Sequence, residues 1–273
     1  MNIDISLDRL DVAMQLVENK QPTDFWIQCV RDASGRWLKY EGHSSRYGVK
    51  YFRGYQPMVD YANADEVTYL VQSIETRRMF YKGLESTKFM DVPSFIELLE
   101  RLRTTLQYRP VDEWLHQRFA TSAHTIIVQE EIMTIAKKYQ DPYATGESTG
   151  PTFTNFPKQS LPYDKHEDEL IVHHYPNLEW TEYYLGAALS KLKELCTGDL
   201  TREEYIYRTA NFYQLLINLH YFAAMNASLY MNMANGLLEA GGIKGIENGI
   251  IDFVALRLQP TAFQEYFLTE VKR

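Results

Sequence analysis

Cysteine is nearly absent from this chain: Cys29 and Cys196 are the only two in 273 residues, far apart and without CxxC spacing. That excludes a disulfide framework and a cysteine zinc site. No uninterrupted apolar run reaches about 18 residues. The opening Met-Asn-Ile-Asp-Ile-Ser-Leu-Asp has neither the positive segment nor the apolar segment of a signal peptide. The expectation is a cytoplasmic protein with no membrane partner; delivery to another cell as an effector, by a route needing no signal peptide, would leave no trace in composition. Positive charge is also short, with 28 Lys and Arg against 36 Asp and Glu, a net charge of -8. Gripping a phosphate backbone takes clustered cations, so nucleic acid is excluded as the main partner. Neither G-x-S-x-G, nor a P-loop, nor G-x-G-x-x-G occurs, which removes the common hydrolase and nucleotide-fold signatures. No internal repeat is found.

What is present reads as a folded chain. Hydrophobic content of 45% and charged content of 23% are ordinary for a globular protein, and tyrosine is abundant at 20 residues. The length suits one main domain with an appendage. A helix over about residues 7 to 19 precedes "FWIQCVRD", "RWLKYEG" and "GVKYFRGY", whose aromatic and β-branched content predicts a small antiparallel sheet turned by Asp32-Ala-Ser-Gly35. Residues 1–60 are thus expected to form a small α+β element packed on a helical domain of residues 61–273. Within the latter the period predicts helices over about 63 to 82, 93 to 107, 111 to 139, 180 to 196 and 202 to 219. A helix ending near Ala240, then short helices over 249 to 257 and 260 to 271, complete the chain. Thr201-Arg-Glu-Glu204 supplies a capping box. Residues 141 to 179 are rich in Pro, Gly, Ser and Thr, and the strand-like "ELIVHHY" within them predicts an ordered hairpin or flap. As plain structure, "EDELIVHHY" would be an edge strand blunted by charge.

Histidines invite a metal reading and do not sustain it. His173 and His174 are adjacent on a strand and point to opposite faces, while His116 and His124 are eight residues apart, too far on one helix for a shared ion. No metal site is assigned.

The stretch "HYFAAMNASLYMN", from His220 to Asn232, places a titratable ring at the joint between two apolar helices. On residue types alone His220 is open to two readings, a satisfied boundary histidine or a general base. Asn226 and Ser228 are likewise either helix caps or ligand groups. In order of elements this segment resembles the Fic, or Fido-fold, family, whose signature H-P-F-x-D/E-G-N-G-R starts at a helix end and runs into the next helix. His220, Phe222 and Asn226 match its histidine, phenylalanine and asparagine in spacing. "GIENGIIDFVALRLQPTAFQEYF" resembles the family's last helix pair, and also the end of a divergent plant-pathogen effector of that fold. The likeness spans about residues 110 to 273.

Departures from the signature are chemical. Ala224 stands where the family has its magnesium-holding acid, Met225 and Ala227 where it has two glycines, and Ser228 where it has a phosphate-gripping arginine. The resemblance implies a mainly α, Fido-like helical bundle with a β-hairpin flap and the N-terminal α+β appendage. It implies a transferase moving a nucleotidyl group from ATP, or a sugar from a nucleotide-sugar, to a protein hydroxyl. His220 would be the base. Asn226, Ser228, Phe222, Asn232 and, from the flap, Thr154 would line the site of the nucleotide-containing co-substrate. Magnesium dependence is left open. Loss of the arginine shifts the expectation from a triphosphate toward a diphosphate donor. The partner would be a protein substrate, registered by strand addition at the flap, and the appendage would contact it or set a homo-oligomeric state. The alternative is a catalytically inactive Fido-like binding protein, and a third is a helical interaction protein outside that family.

Overall fold

The computed structural model describes residues 7–18, 64–106, 124–140, 165–166, 170–174, 176, 178–222, 226–246 and 251–272. The expected N-terminal sheet, His116 and Thr154 lie outside the described residues. The described elements, in chain order, are α1 (Leu7–Glu18), α2 (Ala64–Ser86), α3 (Val92–Thr105), β1 (His124–Val128), α4 (Gln129–Lys138), β2 (Lys165–His166), β3 (Leu170–His174), α5 (Thr181–Thr197), α6 (Arg202–Leu219), α7 (Asn226–Ala240), α8 (Ile251–Arg257) and α9 (Pro260–Val271). The chain is mainly α.

Local chemistry sets several of these boundaries. Asp91 accepts the Ser94 N–H at 2.9 Å and starts α3, with Pro93 in its first turn. At α6 the expected capping box closes: the Glu204 N–H donates to Thr201 Oγ1 at 3.3 Å, and the Thr201 N–H donates to Glu204 Oε2 at 2.8 Å. The helix expected over 111 to 139 is corrected. Residues 124–128 are a strand and the helix begins only at Gln129. The β-branched run Thr125-Ile126-Ile127-Val128 loses side-chain freedom in a helix and gains a partner in β3. β1 pairs antiparallel with β3, Ile126 opposite Val172, while β2 pairs with β3 on the other side, giving the order β1-β3-β2. β3, an edge strand on the plain structural reading, is therefore the middle of the three strands among the described residues.

At the centre sit α6 and α7. Every residue of α6 from Phe212 to Leu219 is buried, and so is every residue of α7 from Leu229 to Leu238. A helix buried on all sides needs neighbours on all sides. Around α6 these are α5, α7, α8 and α9, and α2 covers α7. Polar groups fix the joints where apolar packing alone would leave backbone unsatisfied. Gln214 Nε2 donates to the carbonyls of Ala255 and Leu258 at 3.0 and 2.8 Å, and Asn218 Nδ2 donates to Ala255 at 3.0 Å, tying the end of α8 to α6. Tyr205 in α6 donates to the Leu237 carbonyl of α7 at 2.6 Å. α2 and α7 meet at Gly236, where an added Cβ would lie 3.3 Å from the Tyr81 ring, and Tyr81 donates to the Gly236 carbonyl at 3.1 Å. Among the described residues no helix is long and apolar enough to cross a membrane.

Candidate functional site

The joint between α6 and α7 is held residue by residue. His220 ends α6 in the left-handed region, at φ 49 and ψ 58, and its N–H donates to the Leu216 carbonyl at 3.1 Å. Most helices that stop this way use glycine, because a Cβ crowds the backbone there; histidine is among the few side chains that tolerate it. His220 is half-buried. Tyr221 follows, also half-buried, with its ring edge-on to Phe222 at 4.9 Å between centroids. Burial holds the Tyr221 phenol above its ordinary value, and the Glu100 carboxylate of α3 adds to the effect. Phe222 is fully buried.

Asn226 opens α7 and turns back. Its Oδ1 accepts the Phe222 N–H at 3.0 Å and its Nδ2 donates to the Phe222 carbonyl at 2.6 Å, so one carboxamide answers both backbone groups of one residue. Ala227 and Ser228, in the first turn, are half-buried. The amides of a helix's first turn carry a partial positive charge that suits an anion. Between His220 and Asn232 there is no carboxylate and no cation in the sequence. That stretch by itself supplies no carboxylate ligand for a divalent cation; the Glu100 carboxylate beside Tyr221 comes from outside it, on α3.

The structure brings four of the six residues singled out from sequence to this joint: His220, Phe222, Asn226 and Ser228. Asn232 stands elsewhere, in the seam between α2 and α7. It is buried, its Oδ1 accepts from Arg77 Nε at 2.9 Å, and its Nδ2 donates to the Ser73 carbonyl at 3.4 Å. Arg77 continues to Glu239, with Nη1 donating to Oε2 at 2.8 Å. Asn235, the neighbour one turn on, pairs with both backbone groups of Ile246, at 2.8 and 3.1 Å.

Two arginines escaped the sequence reading. Arg77 and Arg103 are each 1% exposed, and burial presses the Arg103 guanidinium below its usual value while Tyr230 of α7 acts the other way. A signal existed: Arg77 falls at helical spacing with Ile74, Tyr81 and Leu84, and Arg103 beside Leu99, Leu102 and Leu106, all buried. A cation at core spacing implies a built partner. Among the described residues no group of three or more His, Cys, Asp or Glu converges on a metal-sized site.

No family model matches the chain, and no curated protein matches it. Two solved structures are similar in overall course. One is a Fic domain containing signaling protein from Bacteroides thetaiotaomicron, with a TM-score of 0.46 at 13% identity, covering 97% of this chain and 92% of that one. Another is a Fic family protein from Desulfovibrio desulfuricans, with a TM-score of 0.43 at 12% identity, covering 100% of this chain and 73% of that one.

Proposed function

We propose that the joint is the catalytic centre of a transferase that moves a nucleotidyl group, or a sugar from a nucleotide-sugar, onto a protein hydroxyl. The observation that carries it is His220 in the left-handed region. A side chain is kept where glycine would cost the backbone less, beside the first turn of the next helix. In the proposed step the hydroxyl oxygen attacks the donor's phosphorus or anomeric carbon. Its proton passes to the His220 imidazole, acting as general base, and the bond to the diphosphate leaving group breaks. Ser228 and the first-turn amides of α7 receive the departing charge.

No magnesium step is included, because residues 220–232 hold no carboxylate. With no cation there either, a diphosphate donor suits the joint better than a triphosphate. The same lack of charge favours a second reading, a binding protein that takes a nucleotide-sugar and transfers nothing.

The test pairs wild type with His220→Ala, incubated with radiolabelled ATP and with labelled nucleotide-sugars in the presence of candidate protein acceptors. Wild type is expected to label protein from one donor, and His220→Ala is expected to fold and label nothing. Full labelling by the variant ends the proposal. Binding without labelling by wild type selects the second reading.

A further inference from the structure

We infer that Asn226 is a positioning residue: its carboxamide fixes the histidine-bearing joint against the first turn of α7, so that it acts through Phe222 and not on a donor. A carboxamide offers an acceptor and a donor side by side, matching the N–H and C=O of a single residue. Here both are used on Phe222, at 3.0 and 2.6 Å, and Asn226 is 3% exposed. The result is a ladder rung made by a side chain.

Its placement gives it consequence. The backbone is tied to α6 at His220, through the N–H to Leu216, and tied to α7 at Phe222, with only Tyr221 between. Phe222 is buried and its ring supports Tyr221. The imidazole's origin is thereby held between two helices by bonds on either side. α7 uses the same device at Asn235 on Ile246, far from the joint, which supplies an internal control.

The experiment follows the His220 imidazole resonance by NMR, assigned with His220→Ala, in full-length Asn226→Ala, Asn226→Asp and Asn235→Ala. Both Asn226 variants are expected to displace it, and Asn235→Ala to leave it in place. Asn226→Asp carries a further signature. Its carboxylate keeps the acceptor for the Phe222 N–H but sets two acceptors face to face at the carbonyl. Protonation supplies the missing donor, so at equal pH the difference from wild type shrinks as the carboxylate titrates. An unmoved resonance in Asn226→Asp, or equal displacement by Asn235→Ala, overturns the inference; if Asn226→Ala fails to fold, Asn226→Asp decides. The chemical consequence rests on the transferase reading. Displacement together with a wild type that labels nothing keeps the positioning role and removes the transferase.

Discussion

Two consecutive helices end in the same backbone conformation with different residues. α6 stops at His220, φ 49, and α7 stops at Gly241-Gly242, with Gly242 at φ 67. At the second stop the Gly242 N–H reaches Glu239 at 2.9 Å and the Ile243 N–H reaches Leu238 at 2.8 Å, the paired bonds of a Schellman ending, with Ile243 buried beneath. Glycine is used where only the turn matters. At the first stop the His220 N–H bonds to the Leu216 carbonyl and an imidazole occupies the turn. The contrast is between a left-handed stop taken by glycine and one that keeps a side chain at the same backbone cost.

The largest expected effect concerns the bracing of α7 away from the joint. Arg77→Ala leaves Glu239 and Asn232 without their shared cation, and should lower unfolding free energy by about 3 kcal/mol in urea titration. Glu239 keeps some contact with water, at 19% side-chain exposure, which holds the effect toward the low end for buried pairs. Asn235→Ala should cost about 1–3 kcal/mol by removing the bonds it makes to the buried Ile246 amide and carbonyl, while labelling activity persists. If it removes labelling as fully as His220→Ala does, the distinction between the two ends of α7 fails.

Exchanging residues tests the stops themselves. His220→Gly should raise stability by about 1 kcal/mol through relief at the left-handed position and yet abolish labelling. Gly242→Ala should lower stability by about the same amount with labelling retained, since no atom lies within 4 Å of the added Cβ and the backbone alone resists. A destabilised His220→Gly would mean that the imidazole holds the fold together. The smallest effect is at the start of α6. The Thr201 N–H and hydroxyl hold the Glu204 carboxylate below its ordinary 4.5. A depressed carboxylate stabilises above its unfolded value, and that contribution fades as pH falls through the folded one. The stability gap between wild type and Glu204→Ala should therefore be widest near neutral pH and narrow below 4.5, in melting curves measured across that range.

Helices with a cap and a sustained period could be read from sequence alone: α3 through Asp91 and Pro93, and α6 through Thr201 and Glu204. The His220 stop was visible as a break between apolar runs. β1 was not, because its five residues adjoin a helical pattern and take their partner from Leu170–His174, more than 40 positions away. Asn226 and Asn232 looked alike on paper, each a small amide in an apolar stretch. Only the folded chain separates them, since one answers a residue four positions back and the other a guanidinium 155 positions away. Long-range partners of that kind leave no local pattern.

Arg77 and Arg78 are neighbours with opposite outlooks. The first is sealed between helices, while the second reaches out to Glu75 and to Asp11 of α1, with the Asp11 carboxylate more than half open to water. Dissolved ions screen an exposed pair within roughly 8–10 Å at ordinary salt and hardly reach a sealed one. The ionic part of α1's hold on α2 thus answers to the ionic strength of its surroundings, beside the salt-insensitive burial of Leu10, and the ionic brace of α7 hardly does.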